Sequence, residues 1–220
     1  MVRIVDCESD LTTVGTNVAE GSVVIFPTDT VYGLGTNPSS QAGVERCFDM
    51  KHRDFGKHMP VLFDSIESAS EFVRFNAPAY NLAEKYWPGK LTIILPLKDV
   101  KLPTQLVGAG GTLATRIPSH ECCIKLISKC GGSLVGTSAN ISGNPPFIDP
   151  NDPNLREFSK ASDYFLIGEC GKDRIPSTVI DLCSPASPKI VREGAIAASD
   201  ILDYFEKTSR TDLSNRIGTI

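Results

Sequence analysis

The chain has 220 residues, of which 41% are hydrophobic and 22% charged, and its net charge is −4. This length supports one large domain, or one domain and a tail, around an ordinary core. The negative balance excludes polyanion binding by bulk attraction, and no apolar run approaches the roughly 20 residues that cross a bilayer.

Seven cysteines, at 7, 47, 122, 123, 130, 170 and 183, form no CxxC pair. An odd count without paired spacing argues against both a disulfide framework and a zinc site. It predicts small buried hydrophobes in a reducing compartment. The start, MVRIVDCESD, carries acids early and lacks a long apolar core, so no secretory signal is read there and the cytoplasm is expected.

In chain order, a helix is predicted over Leu11–Glu20, stopped by Gly21. Val23–Phe26 reads as a buried strand that breaks at Pro27 into a polar loop, Thr28-Asp29-Thr30, leaving through Tyr32-Gly33-Leu34-Gly35. Polar groups just past a buried strand end are where an α/β protein places a ligand, although the same residues also suit a capped turn. A helix over Ser39–Met50 runs into the cationic stretch Lys51–His58. Pro60–Phe63 reads as a strand, Asp64-Ser65-Ile66-Glu67 has capping-box spacing and starts a helix to about Arg74, and Asn76-Ala77-Pro78 starts another that ends at Trp87-Pro88-Gly89. Leu91–Leu95 and Thr112–Ile117 are strands around a Pro/Gly loop. Ser119 is placed to cap a helix that stops at Gly131. Ser133–Gly136 is a short strand before the Pro-rich stretch Asn144–Pro153. A helix, Asn154–Ala161, then precedes strands at Tyr164–Ile167, Val179–Leu182 and Pro188–Arg192. Ser199–Lys207 is the closing helix. Residues 208–220, polar and poor in apolar side chains, read as a mobile tail to a 1–207 domain. Alternating strands and helices predict an α/β fold with one mixed sheet.

Several sought motifs are missing from the sequence: a Walker-type phosphate loop, GxGxxG after a strand, HExxH and GxSxG. Polar groups instead recur at strand ends. Lys51, Arg53, Lys57, Arg116 and Arg192 could grip phosphate or carboxylate, while Thr30, Thr112, Ser138, Asn140, Ser142, Ser177 and Thr178 could orient a ligand. Singly, each also has a bland reading: a solvated helix end for Lys51/Arg53/Lys57, a surface ion pair for Arg116, a turn for Ser138–Asn140.

Taken together, Pro27–Leu34, Lys51-x-Arg53, Trp87-Pro88-Gly89, Arg116-Ile117-Pro118, Thr137–Gly143, Ser177–Asp181 and Arg192-Glu193-Gly194 resemble, in order, the signatures of the YrdC/Sua5 family of threonylcarbamoyl-AMP synthases. The resemblance spans about residues 10–200 and is to the short, single-domain members. It implies a twisted mixed α/β sheet, flanked by helices, with a concave basic cavity. It also implies a nucleotidyltransferase that joins L-threonine, bicarbonate and ATP into threonylcarbamoyl-adenylate and pyrophosphate, with Mg²⁺ arriving on ATP and no protein metal site. Its product would pass to a tRNA threonylcarbamoyltransferase complex for modification of adenosine 37, with at most a weak tRNA contact and no membrane contact. The resemblance places threonine at Thr30, Arg116, Ser138 and Ser177 or Thr178. It places the nucleotide at Lys51, Arg53, Lys57, Thr112, Asn140, Ser142 and Arg192, with Lys51, Arg53 and Arg116 catalytic. Asp54, Leu62, Lys90 and Ile148 depart from the family pattern. Two other readings are an RNA-binding module of the same fold and a carbamoyl-transfer domain; the missing CxxC pairs count against the latter.

Overall fold

The computed structural model describes residues 1–171, 175–184 and 186–217, and from 209 onward only the backbone. Eleven strands and seven α-helices alternate among these residues. The strands form two mixed sheets rather than the single one expected from sequence.

The first sheet runs in the order β1 (Arg3–Asp6), β9 (Tyr164–Ile167), β2 (Val24–Phe26), β3 (Gly33–Gly35), β8 (Thr137–Ser138). β1, β9 and β2 are parallel, while β3 turns back antiparallel between β2 and β8. The second runs β11 (Lys189–Arg192), β10 (Thr178–Asp181), β5 (Leu91–Pro96), β6 (Thr112–Arg116), β4 (Val61–Phe63), β7 (Ser133–Val135). Its parallel pairs are β10 with β5 and β4 with β6; the others are antiparallel.

The chain crosses between sheets at Gly136, the residue separating β7 from β8. A Cβ there would lie 2.3 Å from Leu62 Cδ1, so only glycine lets the crossing pass over Leu62. β3 and β8 fall where the sequence reads as loop. Gly33 and Gly35 lack strand-forming side chains, but the Phe26 ring occupies the space above both. The pairing partner, not local propensity, makes this a strand.

Helix starts follow their caps. Ser40, Ser65, Asn76 and Asp152 accept from backbone N–H groups at the starts of α2 (Gln41–Lys51), α3 (Ile66–Phe72), α4 (Ala77–Tyr86) and α6 (Pro153–Ser159). α5 (Glu121–Lys129) is capped by the His120 ring, which accepts from Cys123 N–H, and not by Ser119. α1 spans Thr12–Ala19. The closing helix α7 spans Ala198–Ile217, past the predicted end at Lys207.

Cys7 and Cys122 are disulfide-bonded, whereas the sequence reading expected no disulfide framework and a reducing compartment. The end of β1 and the start of α5 meet in space across 115 positions of sequence, a closeness that cysteine spacing cannot reveal. The bond lies in a core cluster with Leu11, Val14, Phe26, Leu126 and Leu166; a second, larger cluster fills the space around β5, β4 and α4.

Candidate active site

Between the two sheets lies a hollow of about 380 Å³. The first sheet contributes Phe26, Thr28, Thr30, Tyr32 and Gly33. The second contributes Leu62, Thr92, Ile94, Arg116 and Arg192. The crossing segment contributes Gly136, Thr137 and Ser138, and loops add Arg53, His58 and Ser177.

Three guanidiniums face this space in a common manner. Arg53 donates from Nε to Lys57 O (2.7 Å) and from Nη2 to His58 O (3.1 Å). Arg192 donates from Nε and Nη2 to Ser177 O (3.2 and 2.7 Å). Arg116 donates from Nε to Gly89 O (2.8 Å) and from Nη2 to Asp29 Oδ1 (2.7 Å). In each, Nη1 makes no hydrogen bond among the described residues. Backbone carbonyls therefore aim Arg53 and Arg192 without neutralising them. Among the described residues only Arg116 of the three has a carboxylate partner, in an ion pair with both side chains 8% exposed.

Burial, then the charge of Arg192, lowers the Arg53 pKa; burial, then the charge of Arg116, lowers that of Arg192. Cations that disfavour one another's charge in a shared hollow are relieved by an anionic ligand. Among the described residues no carboxylate lines the wall, and no three His, Cys, Asp or Glu side chains gather as a metal set.

The hydroxyls divide into ligand-facing and structural groups. Thr28 Oγ1 donates to Val31 O (2.7 Å) and accepts from the N–H groups of Thr30 and Val31, so it ties the turn, as the bland reading had it. Thr30 Oγ1 lies 3.0 Å from it, on the wall. Ser177 Oγ meets Thr92 Oγ1 at 2.8 Å. Tyr32 is spent: its hydroxyl donates to Gly168 O (2.6 Å), and burial holds its pKa above the ordinary value.

Of the predicted site residues, Thr30, Arg53, Arg116, Ser138, Ser177 and Arg192 converge on the hollow. The other six do not line it. Thr178 faces away, donating to Ile196 O (2.6 Å) and accepting from Gly194 and Ile196, so of the two neighbours Ser177 lines the hollow. Strand alternation is the reason: neighbours on a strand point to opposite faces. Lys57 is exposed, and Thr112 sits at the far end of β6, its hydroxyl 3.4 Å from Ala109 O. Asn140 and Lys51 are bound to each other, Nζ to Oδ1 at 3.0 Å. Ser142 Oγ is buried without a hydrogen-bond partner among the described residues. Lys51, expected at the phosphates, is sealed in at 1% exposure.

Thr92 escaped the sequence reading. Its signal was a hydroxyl inside the apolar run Leu91–Leu95. Asp29, read as part of the polar loop, proves to be the buried partner of Arg116 in place of a surface carboxylate.

The fold and site define a two-sheet α/β protein with a hollow lined by Arg53, Arg116 and Arg192. Residues 16–194 match the Sua5_yciO_yrdC family, described as "Telomere recombination", and the chain belongs to that family. It is 35% identical, over 191 residues, to a threonylcarbamoyl-AMP synthase of Pyrococcus abyssi; the match covers 84% of this chain and 54% of that protein. The crystal structure of P. abyssi Sua5 complexed with L-threonine is similar at a TM-score of 0.83 and 30% identity, over 93% of this chain and 60% of that one. E. coli YciO shares the fold at a TM-score of 0.78 and 23% identity, over 90% and 98% of the two chains. This chain thus spans somewhat over half the length of its P. abyssi relatives. Mixed sheets flanked by helices are the architecture the resemblance implied.

Proposed function

We propose that the chain is a nucleotidyltransferase that makes threonylcarbamoyl-adenylate and pyrophosphate from L-threonine, bicarbonate and ATP. One observation carries this reading: three guanidiniums with free Nη1 groups and the hydroxyls of Thr30, Ser138 and Ser177 meet around one hollow. The names of the P. abyssi synthase and of the threonine-bound Sua5 support it.

In this reading Arg116 takes the threonine carboxylate through Nη1, and Thr30, Ser138 and Ser177 orient the amino acid. Threonine's amine then stays free for carboxylation. Arg53 and Arg192 face the nucleotide phosphates. Adenylation displaces pyrophosphate at the α-phosphorus, where positioning and charge neutralisation supply most of the catalysis. Mg²⁺ would arrive with ATP and would neutralise phosphate charge beside Arg53 and Arg192. Lys57, Thr112, Asn140 and Ser142, which do not line the hollow, are not assigned a nucleotide contact in this reading. The product passes to a tRNA threonylcarbamoyltransferase complex in the cytoplasm, with tRNA contacting this chain weakly. Among the described residues no helix is long and apolar enough to cross a membrane.

The test is incubation with ATP, radiolabelled bicarbonate and L-threonine, followed by chromatography. A labelled adenylate formed with pyrophosphate is expected. A folded protein that yields neither, yet binds RNA with steep salt dependence, supports the RNA-module reading instead.

A further inference from the structure

Lys51 closes the last turn of α2, and its side chain runs inward. Its Nζ donates to Ser138 O, to Asn140 O (2.9 Å) and to Asn140 Oδ1 (3.0 Å). An ammonium carries three N–H donors, so these acceptors take them all. In return, the Lys51 carbonyl accepts from Ser142 N–H at 2.8 Å.

The bonds continue outward. Asn140, held through Oδ1, donates from Nδ2 to Ile141 O (3.1 Å) and Asn144 O (2.6 Å). Ala139 N–H donates to Tyr32 O at 2.7 Å. One cation therefore gathers residues 138–144 and sets them against β3, with Ser138 on the wall of the hollow. An apolar side chain of similar length would fill this space without desolvating a charge. It could not fix three oxygens at once.

We propose that Lys51 is a positioning residue: it sets the Ser138–Asn140 segment against the hollow and contacts no phosphate itself. This rests on the synthase reading and changes the part Lys51 plays in it, from charge to scaffold. The electrostatic work then belongs to Arg53, Arg116 and Arg192. Lys51 and Asn140 act as one unit, so their losses are shared rather than multiplied.

The experiment uses the full chain with Lys51→Met, Lys51→Arg, Asn140→Ala and the double variant Lys51→Met/Asn140→Ala. Amide hydrogen exchange over 138–144, without substrates, is measured beside steady-state pyrophosphate release. Lys51→Met is expected to speed exchange there by about tenfold or more, while β5 and β10 keep their protection. It is expected to lower kcat by about tenfold or more and to move the KM for ATP by less than about threefold. The double variant is expected to match the worse single. Unchanged exchange with a large rise in KM for ATP, or losses that multiply, overturns the proposal.

Lys51→Arg keeps the charge but cannot send three tetrahedral donors to the same three oxygens. It therefore covers the case in which Lys51→Met fails to fold. Faster exchange with low kcat in the Arg variant supports the proposal, and full activity overturns it. If the wild-type protein itself shows no turnover, the synthase reading fails, and the exchange data alone then decide whether Lys51 orders the segment.

Discussion

Asp29 Oδ1 and Arg116 Nη2 lie 2.7 Å apart in an ion pair closed off from solvent, with each side chain 8% exposed. Asp29 Oδ2 is buried and has no hydrogen-bond partner among the described residues. The pair joins the polar loop after β2 to the end of β6, and so ties the two sheets together at the hollow.

Removing one partner of such a pair strands the other as a buried charge, which costs about 3–5 kcal/mol. Asp29→Ala is expected to lower unfolding stability in urea by that order and to abolish threonine-dependent pyrophosphate release. Asp29→Asn keeps an acceptor for Arg116 and is expected to lose less stability. Equal stability of Asp29→Ala and wild type would show that the pair contributes nothing.

Lys51 predicts a pH dependence. Burial first, then the Arg53 charge, pulls its pKa down from 10.5 to about 7, against a weaker upward pull from Cys47 on the same helix. The 138–144 segment meets it with uncharged oxygens. The unfolded lysine holds its proton up to about 10.5, whereas the folded one releases it near 7. Between these values the unfolded state binds more protons, so this group raises stability as pH rises and penalises folding fully below about 7. Relative to Lys51→Met, wild type is expected to gain stability as pH rises from about 7 to 10.5, while loss of one of the three N–H donors loosens residues 138–144. Urea midpoints of both proteins across this range check it; parallel curves exclude it.

The Cys7–Cys122 bond closes a loop over 115 positions of sequence. Chain-entropy reasoning gives up to about 5 kcal/mol for a loop of this size. Thermal unfolding with and without reductant, beside Cys7→Ser, measures it. Reductant is expected to lower the wild-type Tm and to leave the Cys7→Ser variant unmoved.

Gly171 packs against the polar loop from behind. A Cβ there would sit 1.8 Å from Asp29 O, and its N–H donates to Thr28 O at 2.9 Å. Gly171→Ala is expected to cost about 1–3 kcal/mol by overpacking and, by displacing Thr30, to raise the KM for threonine more than that for ATP. Wild-type stability and kinetics in this variant would mean that the loop yields freely.

Much of the architecture is local physics and was legible. Apolar runs marked the strands β2 and β5, and Asn76 marked the start of α4 as its cap, while the structure moved the cap of α3 from Asp64 to Ser65. The two-sheet division was hidden because β3 and β8 depend on each other's backbone, and glycine-rich β3 has no strand signal of its own. The disulfide was hidden because cysteine spacing says nothing about closeness in space.

Within the site, residue types and order brought forward Thr30, Arg53, Arg116, Ser138, Arg192 and the Ser177/Thr178 pair, but equally Lys51, Lys57, Thr112, Asn140 and Ser142, which do not line the hollow. Only the tertiary structure decided which cations are exposed to the hollow and which are consumed. Lys51 and Arg53 lie two positions apart and read alike, yet one is sealed among the oxygens of residues 138–140 and the other lines the hollow. The difference lies in the partners, which are mostly backbone carbonyls. Every residue carries a carbonyl, so which one folds within reach leaves no mark in the sequence.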